Sequence, residues 1–349
     1  MSDSSALTAL LPDGRRVRFA RFAWAAIAYV MLVIAWGAFV RATGSGAGCG
    51  DHWPLCNGEL VPQAAHKGTW IEFSHRVTSG LSLLVVGALY MLSRRTFGPG
   101  HLARKAAAAS VFFVVCEALI GGVIVLYKWV AYDTSLARGY STMLHLGNTF
   151  FLLASLVATA HAVTFDLHAR LSWRQTRPAA RVLALLPLLV LFTVGVTGAI
   201  AALGDTLFPS NSLAEGFQQD LSPTAHVFLR LRVLHPVLAL SGGVLLMACS
   251  AMLRYVRFGD RAIVRWSRLT TVAFLLQFSA GVANLMLRAP VPMQLVHLLL
   301  ADFVWIVAAR LAFETFSSRS FVGIVSAGRP IADVRDGKDP DRVIRPASG

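Results

Sequence analysis

A chain of 349 residues that is 56% apolar and only 14% charged belongs with proteins embedded in lipid, and its composition excludes a water-soluble globule. The net charge of +14 would suit a nucleic-acid binder, but the basic residues are gathered in short segments between apolar stretches. That distribution argues against a nucleic-acid partner and reads as a topology signal.

In chain order, a polar tail over residues 1–20 is followed by eight apolar stretches near 22–41, 70–92, 106–127, 141–162, 182–203, 226–253, 269–288 and 291–313. Each can cross ~30 Å of hydrocarbon at ~1.5 Å per residue. The first exceeds the ~7–15-residue core of a cleaved signal peptide and is expected to be retained. Basic clusters sit before the first stretch (Arg15, Arg16, Arg18, Arg21), after the second (Arg94, Arg95, Arg104, Lys105) and after the fourth (Arg170, Arg174, Arg177, Arg181). Others follow the sixth (Arg254, Arg257, Arg261, Arg265, Arg268) and the eighth (Arg310, Arg319, Arg329, Arg335, Lys338, Arg342, Arg345). All lie on one side of an eight-span layout, so both termini are expected in the cytoplasm, under a bacterial-type inner (plasma) membrane.

The outer loop between the first two spans reads Cys-Gly-Asp-His-Trp-Pro-Leu-Cys from Cys49 to Cys56. In an oxidising compartment these two can close a small loop, either as a structural disulfide contributing roughly 2–3 kcal/mol or as a redox-active pair. A metal site adding His52 is the alternative, and it lacks an evident fourth ligand. Cys116 and Cys249 fall inside spans and read as inert thiols.

The chain also repeats itself. "HRVTSGLSLLVVGALYML" from His75 lies over "HPVLALSGGVLLMACSAML" from His235, and "MLHLGNTFFLLASL" around His145 lies over "LVHLLLADFVWIVA" around His297. Four spans per half give both halves one orientation, as parallel repeats. The expected fold is an all-α membrane protein of eight transmembrane helices, arranged as two pseudo-symmetric parallel four-helix bundles. The expected segments are a cytoplasmic tail (1–20), the first bundle with the outer Cys loop (21–165), a cytoplasmic linker (166–181), the second bundle (182–315) and a disordered cytoplasmic tail (316–349).

His75, His145, His235 and His297 each sit near the outer start of an even-numbered span. Ionisable groups in a bilayer are costly and mark function. Imidazoles facing each other across a helical bundle can grip a haem iron, and two such pairs fit two haems near the outer face. His52, His66, His101, His161, His168 and His226 lie in loops or at helix ends and carry no such reading. Glu72 precedes His75 by three residues, on the same helix face, whereas the matching residue before His235 is Arg232. A carboxylate beside the first pair can handle protons or stabilise positive charge, and the alternative is an interfacial carboxylate paired with Arg76 or Lys67. Arg232 suits a haem propionate, as do Arg41 and Arg76. Glu117 is a second intramembrane acid, expected deeper than the histidines and paired with a polar neighbour. Gly121, Gly122, Gly242 and Gly243 are expected to allow close helix contact.

Arg-Ala-Thr-Gly-Ser-Gly ending the first span, Trp-Pro-Leu-Cys-Asn-Gly in the outer loop and Glu-Phe-Ser-His-Arg opening the second resemble the haem A synthase family. The similarity covers about residues 20–315. It implies an enzyme, an oxidoreductase acting on a CH group, that oxidises the C8 methyl of haem O to a formyl group for the haem A of terminal oxidases. By that resemblance His75 and His145 hold the substrate haem, His235 and His297 are axial ligands of a haem b cofactor, Glu72 is catalytic, and Cys49 and Cys56 form a disulfide. The substrate would be haem O and the surroundings membrane lipid, with haem O synthase and oxidase assembly factors as partners and the electron partner left open. The chain departs from the family where Pro236 follows His235, where Glu117 stands in place of a glutamine, and where the 204–225 loop lacks a cysteine pair. The competing reading is a non-enzymatic di-haem b-type electron carrier, which needs the four histidines but not Glu72.

Overall fold

The computed structural model describes residues 14–63, 66–163 and 174–317. Residues 1–13 and 318–349 of the expected tails, residues 166–173 of the expected linker with His168 and Arg170, and the basic residues from Arg319 onward lie outside the described residues, whereas 14–20 open the first helix.

Among the described residues there are nine α-helices. They are α1 (Gly14–Ala42), α2 (Lys67–Thr96), α3 (Leu102–Leu126), α4 (Leu136–Val163), α5 (Pro178–Leu207), a short α6 (Leu213–Leu221), α7 (Val227–Val256), α8 (Arg261–Met286) and α9 (Val291–Phe316). All except α6 are long and apolar enough to span a membrane, as the hydropathy pattern anticipates. The helices overrun the apolar stretches because their ends are polar and capped. His66, His101 and His226 accept a bond from the backbone N–H two residues on, at the starts of α2, α3 and α7. Asp260 does the same for two donors of α8. Pro236 leaves α7 unbroken.

Each half forms a closed ring. Helix α1 packs on α2, α2 on α3, α3 on α4 and α4 back on α1; in the second half α5 packs on α7, α7 on α8, α8 on α9 and α9 on α5. The halves meet where α4 and α1 touch α9 and where α4 touches α5, so α4 and α9 are the most buried spans. The core there joins Ile27 and Val30 of α1, Leu153 and Leu156 of α4, and Trp305 and Ile306 of α9. Trp305 stacks on Phe150 at 4.7 Å and donates its indole N–H to the Phe150 carbonyl.

Local geometry recurs with the spacing of the repeat, in keeping with a duplicated fold. His66 and His226 are equivalent caps. Helices α3 and α8 end alike, on left-handed Lys128 and Arg288. The following N–H groups, of Trp129 and Ala289, bond back to Ile124 and Asn284.

Two expectations are corrected. The charge pattern groups Arg310 with the flanking basic residues, yet it lies inside α9, buried and paired with Glu314 at 3.2 Å. Gly121 meets no neighbour at its α-hydrogen, whereas Gly122 receives the Trp53 indole, Gly242 meets Val190 and Gly243 meets Phe274.

Candidate functional site

The four histidines stand about two turns inside the starts of α2, α4, α7 and α9, all of which run in the same direction. In the second half, the His235 and His297 rings face each other with centroids 6.4 Å apart and planes at 83°. One metal bound by both rings needs two bonds of about 2 Å plus roughly 1 Å from nitrogen to centre on each side, which gives about 6 Å. The centroid spacing is that of such a ligand set. Thr197 Oγ1 is 3.4 Å from His235 Nδ1, and Gln277 Nε2 is 3.3 Å from His297 Nε2. A metal bound at His297 Nε2 would replace the Gln277 contact there.

Close approach to these rings requires glycine. A Cβ at Gly198 of α5 would lie 2.8 Å from His235 Cε1, and one at Gly281 of α8 would lie 2.8 Å from His297 Cε1. Gly37 of α1 stands in the same relation to His75. This signal was in the sequence, as glycines on the odd-numbered spans, but it has meaning only once the helices are placed.

In the first half, His75 has a buried Nδ1 without a hydrogen-bonding partner. His145 keeps 37% of its side-chain surface open, and its Nδ1 lies 2.7 Å from Glu117 Oε2. Glu117 is itself held: Asn148 Nδ2 and Thr149 Oγ1 donate to its Oε1 at 2.9 and 2.8 Å. Glu117 is therefore level with the histidines, not deeper. A carboxylate on Nδ1 fixes the tautomer, leaves Nε2 as the ligating nitrogen and raises its basicity.

Glu72 is buried and turned to the outer loop. Its Oε2 accepts from the Cys49 N–H at 2.8 Å, and its Oε1 accepts from Arg76 Nε at 3.1 Å and from Arg76 Nη2. Arg76 also donates to the carbonyls of His52 and Leu55. Cys49 and Cys56 are joined as a disulfide, so the metal-site alternative with His52 falls. The Glu72–Arg76 pair straps this closed loop to α2, while Trp53 from the loop lies on Gly122 of α3.

The other arginines bind protein groups. Arg41 donates to the Ala202 carbonyl, Thr206 Oγ1 and Gln294 Oε1, linking α1 to α5 and α9. Arg232 bridges Asp205 and Asp220 at 3.0 and 2.6 Å. Among the described residues no group of three or more His, Cys, Asp or Glu side chains is placed to hold a bare ion. An axial histidine pair is a different arrangement and needs only two.

A family model described as cytochrome oxidase assembly protein, COX15-CtaA, matches residues 20–309. Proteins named "Protoheme IX farnesyltransferase" from two strains of Thermus thermophilus are 43% identical over 295 residues, covering 84% of this chain and 48% of theirs. The chain thus spans about half the length of those relatives. A protein named "Heme A synthase" from Bacillus cereus is 38% identical over 128 residues, 37% of this chain and 39% of its own. With a match over nearly the whole helical region, the chain belongs to the COX15-CtaA family of cytochrome oxidase assembly proteins.

Proposed function

We propose that this protein is a haem A synthase, oxidising the C8 methyl of haem O to a formyl group. Three things support the reading: the family, the Bacillus relatives bearing that name, and four histidines at matching depths of α2, α4, α7 and α9 with unlike polar companions at His145 and His297. The family match carries it. Unlike partners on His145 and His297 tune haem potential in a synthase and in a carrier alike, so Glu72 is the residue that separates the two readings. The Thermus name belongs to chains about twice as long, so it does not fix the activity of the matched half.

In this reading His75 and His145 hold haem O, and His235 and His297 hold haem b. The haems, when bound, supply the redox chemistry that takes a methyl group to the aldehyde level. Glu117 orients His145 and sets the basicity of its Nε2. Glu72, one turn from His75, is the carboxylate base that takes protons leaving the substrate methyl, and Arg76 keeps it in place. The strapped disulfide loop covers that end of the first bundle and limits water entry. Arg41, Arg76 and Arg232 are the candidates to receive propionates, exchanging a protein acceptor for a haem carboxylate. Both termini lie in the cytoplasm of a bacterial-type plasma membrane, with the disulfide loop outside.

Pigment extracted from purified protein tests the assignment. Haem O or haem A beside haem b is expected; two equivalents of haem b alone would instead make the protein a di-haem carrier. Glu72→Gln with both haems retained should lower haem A output by on the order of 10². Amide exchange at Cys49 then separates chemistry from strapping. Lost output with a still-protected Cys49 N–H places Glu72 in the reaction, and unchanged output removes it.

A further inference from the structure

Asp302 on α9 is fully buried, in the middle of a membrane-length helix, and neither of its carboxylate oxygens has a hydrogen-bonding partner. An ionised carboxylate so placed costs several kcal/mol with nothing to offset it, so the neutral acid is the form that survives there. Even the neutral acid needs partners, and in a polar buried site water provides them.

Further buried polar atoms without partners lie beyond it, toward the end of the fold opposite the disulfide loop. They are Ser267 Oγ and Trp266 Nε1 on α8 and Ser250 Oγ on α7. The Trp266 ring lies 5.1 Å from the guanidinium carbon of Arg310, which places it two turns past Asp302 along α9. Ser250 adjoins Cys249, which packs with Ile263 and Leu311 at that same level. Arg310 pairs with Glu314, Glu314 lies 3.9 Å from His161 Nδ1 on α4, and His161 Nε2 bonds Ser317 Oγ at 2.8 Å. From Asp302 to Glu314 is about 18 Å along the helix axis. Chains of buried Asp, Glu and His are the groups from which membrane proteins build proton relays.

We propose that Asp302 is a protonated, proton-exchanging carboxyl at the inner end of a water-containing path, whose other end is the Arg310–Glu314–His161 group. In each exchange the Asp302 O–H bond breaks as a water takes the proton, and a proton arriving through the path re-forms it. No electron moves and no net charge is left. The proposal does not depend on the haem A synthase reading.

Infrared spectroscopy of the full-length protein in lipid nanodiscs tests it. At neutral pH the wild type should show a protonated-carboxyl C=O band that shifts in D2O and is missing from Asp302→Asn. Glu314→Gln and His161→Gln should each slow that shift at least tenfold, whereas Asp302→Glu should retain an exchanging band. The same band in wild type and Asp302→Asn would overturn the proposal, as would a shift rate that neither distal variant changes. Should Asp302→Asn fail to fold, modification of wild-type Asp302 by an apolar carbodiimide, read by mass spectrometry, decides instead. Modification supports a protonated, reachable acid, and an unmodified Asp302 refutes it.

Discussion

At the scale of residues, the difference between the halves is concentrated in what touches each histidine. Glu117 meets His145 with a carboxylate, and Gln277 meets His297 with an amide. Replacing Glu117 with Gln should therefore weaken metal affinity at the first pair by about 10–100-fold and leave the second pair alone. Haem titration followed by absorbance distinguishes the two sites, and equal loss at both would contradict this division of labour. His101 offers a separate test, outside the spans. Burial, then the charge of Arg16, holds its imidazole below the ordinary range, and as the neutral base it accepts from the Ala103 N–H. The unfolded chain binds a proton first as pH falls below ~6.5, so this cap stabilises above that value and is lost with further acidification. Amide exchange at Ala103 should accelerate in that window, and a pH-independent rate would remove His101 as the cap's acceptor.

At the scale of elements, the spanning helices were legible because their apolar length exceeds anything a soluble core requires. Their ends were not, since capping by His66, His101 and His226 is invisible to hydropathy. The depth of Glu117 is hidden from the sequence for a related reason. Helix α4 starts at Leu136 and α3 ends at Leu126, and this register brings Glu117 level with His145. Arg310 was misplaced because a charge count cannot see a buried partner such as Glu314. The short α6 escaped notice within a loop whose polar residues, Glu215 and Asp220, alternate with Leu213, Phe217 and Leu221. Ring contact by glycine is the element-level feature most open to experiment. Gly281→Ala puts a methyl carbon 2.8 Å from His297 Cε1, inside van der Waals contact, so α8 or the ring must move. Haem retention at the second pair should fall at least tenfold with the helical circular dichroism unchanged; full retention would show that the ring has room to yield.

For the molecule as a whole, the seam between halves is held by packing and directed hydrogen bonds, since lipid is as apolar as leucine and gives no driving force of its own. Trp305 combines both, being buried, stacked on Phe150 and bonded to its carbonyl. Trp305→Ala should cost about 3–5 kcal/mol, read as a lower thermal midpoint in detergent. A midpoint within error of the wild type would place the strength of the seam elsewhere, with Arg41 and its bonds to α5 and α9 the next candidate. Parity has its own effect. Eight crossings return the backbone to the face it left, so residues 14 and 317 emerge together. Any membrane segment joined after residue 317 meets the bilayer from the side on which this one began, and its orientation is the one a separate protein with a start on that face would adopt. Joining two such modules in one polypeptide therefore requires neither an added crossing nor an inverted partner.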